Sequence, residues 1–178
     1  MQNKTGGIAV GINYHLALWD QMKTGADYFN ELFRVSKNQI IFGANFFVEH
    51  LKSSQGWIVW DKQRPDGVSF SDCELAYTSF DCKLRIFRYL WHGMLQNDMQ
   101  NKESRIHPTQ KPIALYRWLL SNYANPGDKI LDTHVGSASS LIACKEMGFD
   151  FIGFELDETY FNGAIERMQN HAYPMSLF

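Results

Sequence analysis

The run Asp132-Thr133-His134-Val135-Gly136-Ser137-Ala138-Ser139 joins an apolar segment of strand length, Lys129-Ile130-Leu131-Asp132, to a helical pattern starting at Ser140. Glu155 closes the next apolar segment, 23 residues after Asp132. Small residues between a strand and a helix let a backbone approach a nucleoside closely, and an acidic side chain ending the following strand can accept hydrogen bonds from both ribose hydroxyls. The chemistry is recognition of an adenosine-containing cofactor. The loop lacks the full Gly-x-Gly-x-x-Gly of dinucleotide folds, and a tight strand-to-helix turn beside a surface glutamate accounts for the same residues.

Two other stretches carry candidate groups. His107-Pro108-Thr109-Gln110-Lys111-Pro112 stands just before a predicted helix, and Asn125-Pro126-Gly127-Asp128 follows that helix and leads into the strand ending at Asp132. Between Lys83 and Arg117 seven basic residues face two acidic ones, Asp98 and Glu103, a net of +5 in a chain whose total is −2. Such a segment, interleaved with Tyr89, Trp91 and Tyr116, is where phosphate contacts would lie, with Arg85, Arg88, Lys102 and Arg105 as the candidates; solvated strand and loop charge is the alternative. His50, His92, His134 and His171 lack His-x-x-x-His or Glu-paired spacing, so no metal site is expected. His134 adjoins the small-residue loop and reads equally as a ligand contact or a loop imidazole.

These residues need a frame. Gly25 to Val35 places Tyr28, Phe29, Leu32, Phe33 and Val35 at helical spacing, with Asp27 and Glu31 near the start. Gln39 to Gly43 reads as a short buried strand, Asn45 to Leu51 as a short helix, and Trp57 to Trp60 as a strand closed by the turn-like Arg64-Pro65-Asp66-Gly67. Glu74 to Phe80 and Leu84 to Trp91 supply two further strands, and the polar, unpatterned Gly93 to Arg105 is expected to be a mobile loop. Pro112 starts a helix with Ala114, Leu115, Trp118 and Leu119 on one face. Strand 129–132, helix 140–147, strand 150–155 and a helix from about Glu158 to Asn170 complete a βαβ unit, which is parallel and right-handed. The expected class is α/β, a mostly parallel sheet with helices on both faces. Residues 1–18, Gly-rich and aperiodic, read as a loop or arm of a single domain.

Composition excludes several alternatives. With 178 residues, 45% hydrophobic and 20% charged, the chain has the balance of one globular domain rather than a disordered tail or a basic nucleic-acid coat. No stretch approaches the roughly 18 consecutive apolar residues of a membrane span, and Met1 to Gly6 lacks a signal peptide's apolar core, so a cytoplasmic protein with no membrane partner is expected. Cys73, Cys82 and Cys144 form no Cys-x-x-Cys pair and read as buried thiols.

The order His107 to Pro112, Asn125 to Asp128, Asp132 to Ser139 and Phe154-Glu155-Leu156-Asp157 resembles the DNA amino-methyltransferases that modify adenine N6 or cytosine N4. It is similar to their permuted, beta-type branch, in which the catalytic half precedes the S-adenosylmethionine-binding half. Trp19-Asp20, Tyr28 to Val35, Asn45-Phe46-Phe47 and Trp57 to Lys62 resemble the catalytic half of phage-type members, so the resemblance covers roughly residues 19–170. It implies a Rossmann-like fold, S-adenosylmethionine as cofactor, double-stranded DNA as partner and methyl transfer to an exocyclic amine. A homodimer is implied by the resemblance alone. Residues 19–92 would form the catalytic half, 93–105 a DNA-facing loop and 106–170 the cofactor half. His107, Pro108, Thr109 and Lys111 would frame the methionine end of the cofactor, with a solvated charge as the alternative for Lys111. Asp132, Gly136 and Ser137 would lie beneath its methionine and ribose, Glu155 would hold the ribose hydroxyls, and Leu156 or Asp157 would border the adenine.

Two positions depart from the family. Ala138 stands where the family usually has glycine. The family's catalytic signature, Asp, Asn or Ser followed by Pro-Pro and an aromatic residue, has no counterpart, because the sequence contains no Pro-Pro pair and its first proline is Pro65. Asn13-Tyr14 is the sole early polar-aromatic pair resembling a remnant, with a loop tyrosine as the alternative. No catalytic residue is therefore assigned. A truncated, inactive chain that binds cofactor, DNA or a protein without turnover is the rival expectation, and a nucleotide-binding oxidoreductase a weaker one.

Overall fold

The computed structural model describes residues 24–173, with 66, 68, 69 and 93 excepted. The expected arm over 1–18, Asn13-Tyr14 and Trp19-Asp20 lie outside the described residues.

The first helix, α1 (Ala26–Val35), buries Phe29 on its apolar stripe, and Asp27 and Arg34 sit at the ends that favour their charges. The Phe29 ring stacks on His50 at 5.0 Å and packs against Phe47 at 5.4 Å. Four strands follow: β1 (Ile40–Phe42), β2 (Trp57–Asp61), β3 (Cys73–Thr78) and β4 (Arg85–Arg88). They form one sheet in the order β1-β3-β2-β4, in which β3 runs antiparallel to both neighbours and β2 parallel to β4. Two short strands, β5 (Trp91–His92) and β6 (Leu95–Gln96), then pair with each other as an antiparallel hairpin. Alternation in β2 turns Ile58 and Trp60 into the core, where they meet Leu115 and Leu119. Those two leucines belong to α2 (Ile113–Tyr123), which begins directly after Pro112.

The other face of α2 packs on the βαβ unit, formed by β7 (Lys129–Asp132), α3 (Ser139–Met147) and β8 (Asp150–Gly153). Ile113 and Leu120 of α2 join Ile142, Ala143 and Cys144 of α3 in a second core cluster, and Tyr116 contacts both clusters. The strands β7 and β8 are parallel, from Lys129 opposite Asp150 to Asp132 opposite Gly153. A final helix, α4 (Glu158–Asn170), lays Ala164 against Ala138 and Leu141.

The α/β, Rossmann-like class holds, with differences of detail. Among the described residues the sheet around β3 is mixed rather than mostly parallel, because β3 returns antiparallel between two strands. Asn45 to Leu51 forms two short 3-10 turns, Ala44–Phe46 and Val48–His50, in place of one helix; Gly43 enters the first at φ +68°. The expected strand from Leu84 to Trp91 divides into β4 and β5, and β6 lies inside the segment read as structureless. Of the interleaved aromatics of the basic stretch, Trp91 is a core residue, 3% exposed, with its indole N–H donating to the Gln110 carbonyl at 2.9 Å, and Tyr116 packs partly buried against both core clusters. Of the cysteines only Cys144 is buried, with its thiol pushed up to about 12 by desolvation, whereas Cys73 is exposed at the start of β3. No described helix is long and apolar enough to cross a membrane.

Candidate functional site

The loop between β7 and α3 is fixed from both strands. The Phe154 N–H donates to the Asp132 carbonyl at 2.9 Å, and Val135 N–H to the Phe154 carbonyl at 3.0 Å. The Asp132 carboxylate holds the loop's two ends: Oδ1 accepts from His134 N–H at 2.9 Å and Oδ2 from the Ser140 hydroxyl. Gly136 and Ala138 both adopt the left-handed conformation, at φ +51° and +60°. Only Gly136 does so without steric cost, and a Cβ there would stand 3.4 Å from the His107 ring.

Glu155 lies across this loop. Its Oε2 accepts from Gly136 N–H at 2.8 Å and its Oε1 from Asp157 N–H at 3.0 Å. A carboxylate has roughly four acceptor positions, so two stay open for hydroxyl groups. Asp157 spends its side chain on capping α4, with Oδ1 accepting from Thr159 N–H and Tyr160 N–H. Ser137 is buried, and its hydroxyl pairs with that of Ser139 at 3.2 Å.

His107 forms the opposite wall. This residue is 5% exposed, meets Tyr160 edge-on at 4.2 Å and, through Nδ1, accepts from the Thr109 backbone N–H at 3.2 Å. Burial holds the imidazole below its ordinary pKa, against the pull of Glu155 and Asp157. His107, Thr109, Asp132, Gly136, Ser137, Glu155 and Asp157 thus gather around one loop. Pro108 is exposed on the turn ahead of Thr109.

Lys111 is no solvated charge. Its Nζ lies 3.2 Å from Glu74 Oε2 and 5.0 Å from the Phe42 ring centroid, while Lys62 Nζ lies 2.7 Å from Glu74 Oε1. The two ammonium groups hold the Glu74 carboxyl below the usual range despite its burial. Sequence alone assigns no site role to Lys62 or Glu74; the available signal was a charge within the apolar β3 and another just past the end of β2. Tyr28 was also missed. Its hydroxyl meets Thr133 Oγ1 at 2.7 Å and ties α1 to the loop.

The basic side chains between Lys83 and Arg117 are spread over several partners. Arg85 donates to Asn122 Oδ1 at 2.9 Å, Arg88 lies 3.5 Å from Asp61 Oδ2, and the Arg105 guanidinium stacks on Trp91 at 4.4 Å. Lys102 Nζ approaches Met94 Sδ at 3.9 Å, and Arg117 pairs with Glu146 through two 2.6 Å bonds. The +5 of this stretch is therefore partly compensated by acidic residues from elsewhere in the chain. No group of three or more His, Cys, Asp or Glu side chains placed to hold a metal occurs among the described residues.

Comparison with known proteins gives a consistent picture. The family model for DNA methylases of the N6/N4 type matches residues 57–166. The chain is 39% identical over 70 residues to the type II methyltransferase M.HpaI of Haemophilus parainfluenzae, covering 39% of this chain and 22% of that protein. It is 32% identical over 80 residues to the type II methyltransferase M2.DpnII of Streptococcus pneumoniae, covering 45% and 30%. The chain thus spans less than a third of either relative. Its fold is similar to that of the M1.HpyAVI–SAM complex, with a TM-score of 0.57 and 24% identity over 83% of this chain and 84% of that one. It is also similar to that of TTHA0409 of Thermus thermophilus complexed with S-adenosyl-L-methionine, with a TM-score of 0.52 and 16% identity over 80% of this chain and 74% of that one.

Proposed function

Because the chain belongs to the N6/N4 DNA methylase family, we propose that it is a DNA methyltransferase using S-adenosylmethionine on the exocyclic amine of adenine N6 or cytosine N4. The observation that carries this reading is the Glu155 carboxylate, anchored by Gly136 N–H at 2.8 Å and Asp157 N–H at 3.0 Å opposite a bare, left-handed loop. A sugar with two adjacent hydroxyls fits the open acceptor positions of that carboxylate. Gly136 takes its positive φ without strain and leaves the loop backbone bare toward His107, whose ring a Cβ there would meet at 3.4 Å. When bound, the cofactor supplies an electrophilic methyl group on a sulfonium centre.

The chain's own residues do the rest of the binding. Glu155 would hold the ribose, with Asp132, Gly136 and Ser137 beneath the ribose and methionine and the backbone around Asp157 at the adenine. No side-chain oxygen caps α3, and the first-turn N–H groups of an uncapped helix suit a carboxylate such as the methionine tail. His107, its imidazole held below its ordinary pKa by burial, and Thr109 would close the methionine side, and Lys111, oriented by Glu74, would add positive charge there. Arg85, Arg88, Lys102 and Arg105 would meet DNA phosphates. The target amine is a poor nucleophile whose base must leave the duplex stack, and no described residue is assigned to activating it. The protein would act in the cytoplasm, alone or as a homodimer.

A second reading, binding without turnover, is favoured by the absence of any Pro-Pro pair in the sequence. Incubation with methyl-labelled S-adenosylmethionine and mixed-sequence duplex DNA separates the two: label on DNA supports transfer, and cofactor binding with no label supports the second reading. Glu155→Gln is expected to weaken cofactor binding on the order of tenfold. Preference for NAD over S-adenosylmethionine, or equal binding by wild type and Glu155→Gln, refutes the cofactor reading.

A further inference from the structure

Ser137 sits between two left-handed residues, Gly136 and Ala138, so the direction of its carbonyl is not maintained by regular hydrogen bonding. Arg167, thirty positions later on α4, reaches that carbonyl: Nη1 donates to Ser137 O at 2.5 Å and to Ser139 Oγ at 2.8 Å. Its Nη2 donates to Glu103 Oε2 at 2.6 Å. The two side chains are 12% and 15% exposed. Glu103 is itself held from three sides. Its Oε1 accepts from Ile113 N–H at 3.0 Å, at the first turn of α2, and the Gln96 amide brackets its main chain, accepting from N–H at 2.8 Å and donating to the carbonyl at 2.7 Å.

A buried ion pair is a poor source of net stability, since desolvation offsets most of the attraction. Here burial raises the Glu103 pKa and lowers that of Arg167, the directions expected where desolvation outweighs the pairing. What the pair supplies is geometry. A planar guanidinium holds its donors in a rigid fork that fixes the angles between its acceptors, whereas an ammonium is a freely rotating point charge on a flexible stem. We propose that Arg167 is a positioning residue for the cofactor loop and Glu103 its orienting carboxylate, together setting the Ser137–Ser139 backbone in the shape that receives the methionine and ribose of the cofactor. Glu103 also joins that loop to the β5–β6 hairpin through Gln96. The inference rests on the reading of this loop as the cofactor loop.

The test is isothermal titration of the full chain with S-adenosylmethionine for wild type, Arg167→Lys, Glu103→Gln and the double variant. Leu119→Ala, in the β2–α2 core, serves as a control that lowers the melting temperature without touching the loop. Arg167→Lys is expected to weaken binding on the order of tenfold, Glu103→Gln several-fold, and the double variant no more than Arg167→Lys, because the two act through one contact. Leu119→Ala should melt lower with unchanged affinity. Unchanged affinity in Arg167→Lys, or strictly additive losses, overturns the inference while leaving the cofactor reading intact. A wild-type chain that binds no S-adenosylmethionine overturns the cofactor reading and this inference with it.

Discussion

Ala138 is the residue at which local conformation and packing pull in opposite directions. It occupies the left-handed region at φ +60°, is fully buried, and packs among Val135, Leu141, Phe151, Ala164 and Met168. An L-residue there carries about 1–2 kcal/mol of steric strain that glycine relieves. Against this, Ala138→Gly removes one buried methyl, costing about 0.8 kcal/mol, and loosens the unfolded chain by a further 0.4–1 kcal/mol or so. The contributions cancel to within about 1 kcal/mol. For a domain of this size that is a shift of no more than about 4 °C in melting temperature. Urea denaturation of wild type and Ala138→Gly, analysed at equal slope, measures the difference directly. A loss above about 2 kcal/mol would refute the reasoning, because it would mean that the methyl contacts dominate and that the positive φ carries little strain.

Two further outcomes follow from the site geometry. His107 titrates near 6.5 when unfolded and lower when folded, because burial disfavours its charged form. Below about 6.5 the unfolded chain therefore binds a proton that the folded chain refuses, and stability should fall with decreasing pH through that window. His107→Asn should flatten the slope of unfolding free energy against pH there, and parallel slopes would contradict this. Gly153→Ala would place a Cβ 2.5 Å from Val135 Cγ2 and 2.8 Å from Leu141 Cδ1. Overpacking of that kind costs about 1–3 kcal/mol, so melting should fall by several degrees, and an unchanged melting temperature would count against the close approach.

The βαβ unit was legible because its signals are local. Apolar runs at Ile130-Leu131 and Phe151-Ile152, small residues between them and an acidic residue after the second run all act within thirty residues, and β7, α3 and β8 form there, with β8 ending at Gly153, two residues before Glu155. What escaped the sequence is long-range. The arrangement β1-β3-β2-β4 depends on which strand returns between two others, which alternation of residues does not encode. The segment 94–105 looked structureless because its order comes from Gln96 bracketing Glu103 and from Gln110, whose side-chain amide donates to the Ser104 carbonyl at 3.0 Å. None of these bonds leaves a periodic trace.

The pairing of charges was not legible for a related reason. A run of basic residues counts as a patch only if its counterions are absent, and here Glu74, Glu146 and Asp61, all outside the run, supply partners for Lys111, Arg117 and Arg88. Exposed pairs such as Arg88 with Asp61 contribute little to stability, so they can be broken at small cost when a phosphate competes. Lys111 and Arg167 differ, since each is mostly buried against its carboxylate. For those two the counterion fixes orientation, and moving it would cost more than a solvated charge returns. Arg85, Arg88 and Lys102 thus belong to a surface set able to exchange partners, whereas Lys111 and Arg167 are buried cations whose orientation the carboxylates of Glu74 and Glu103 hold in place.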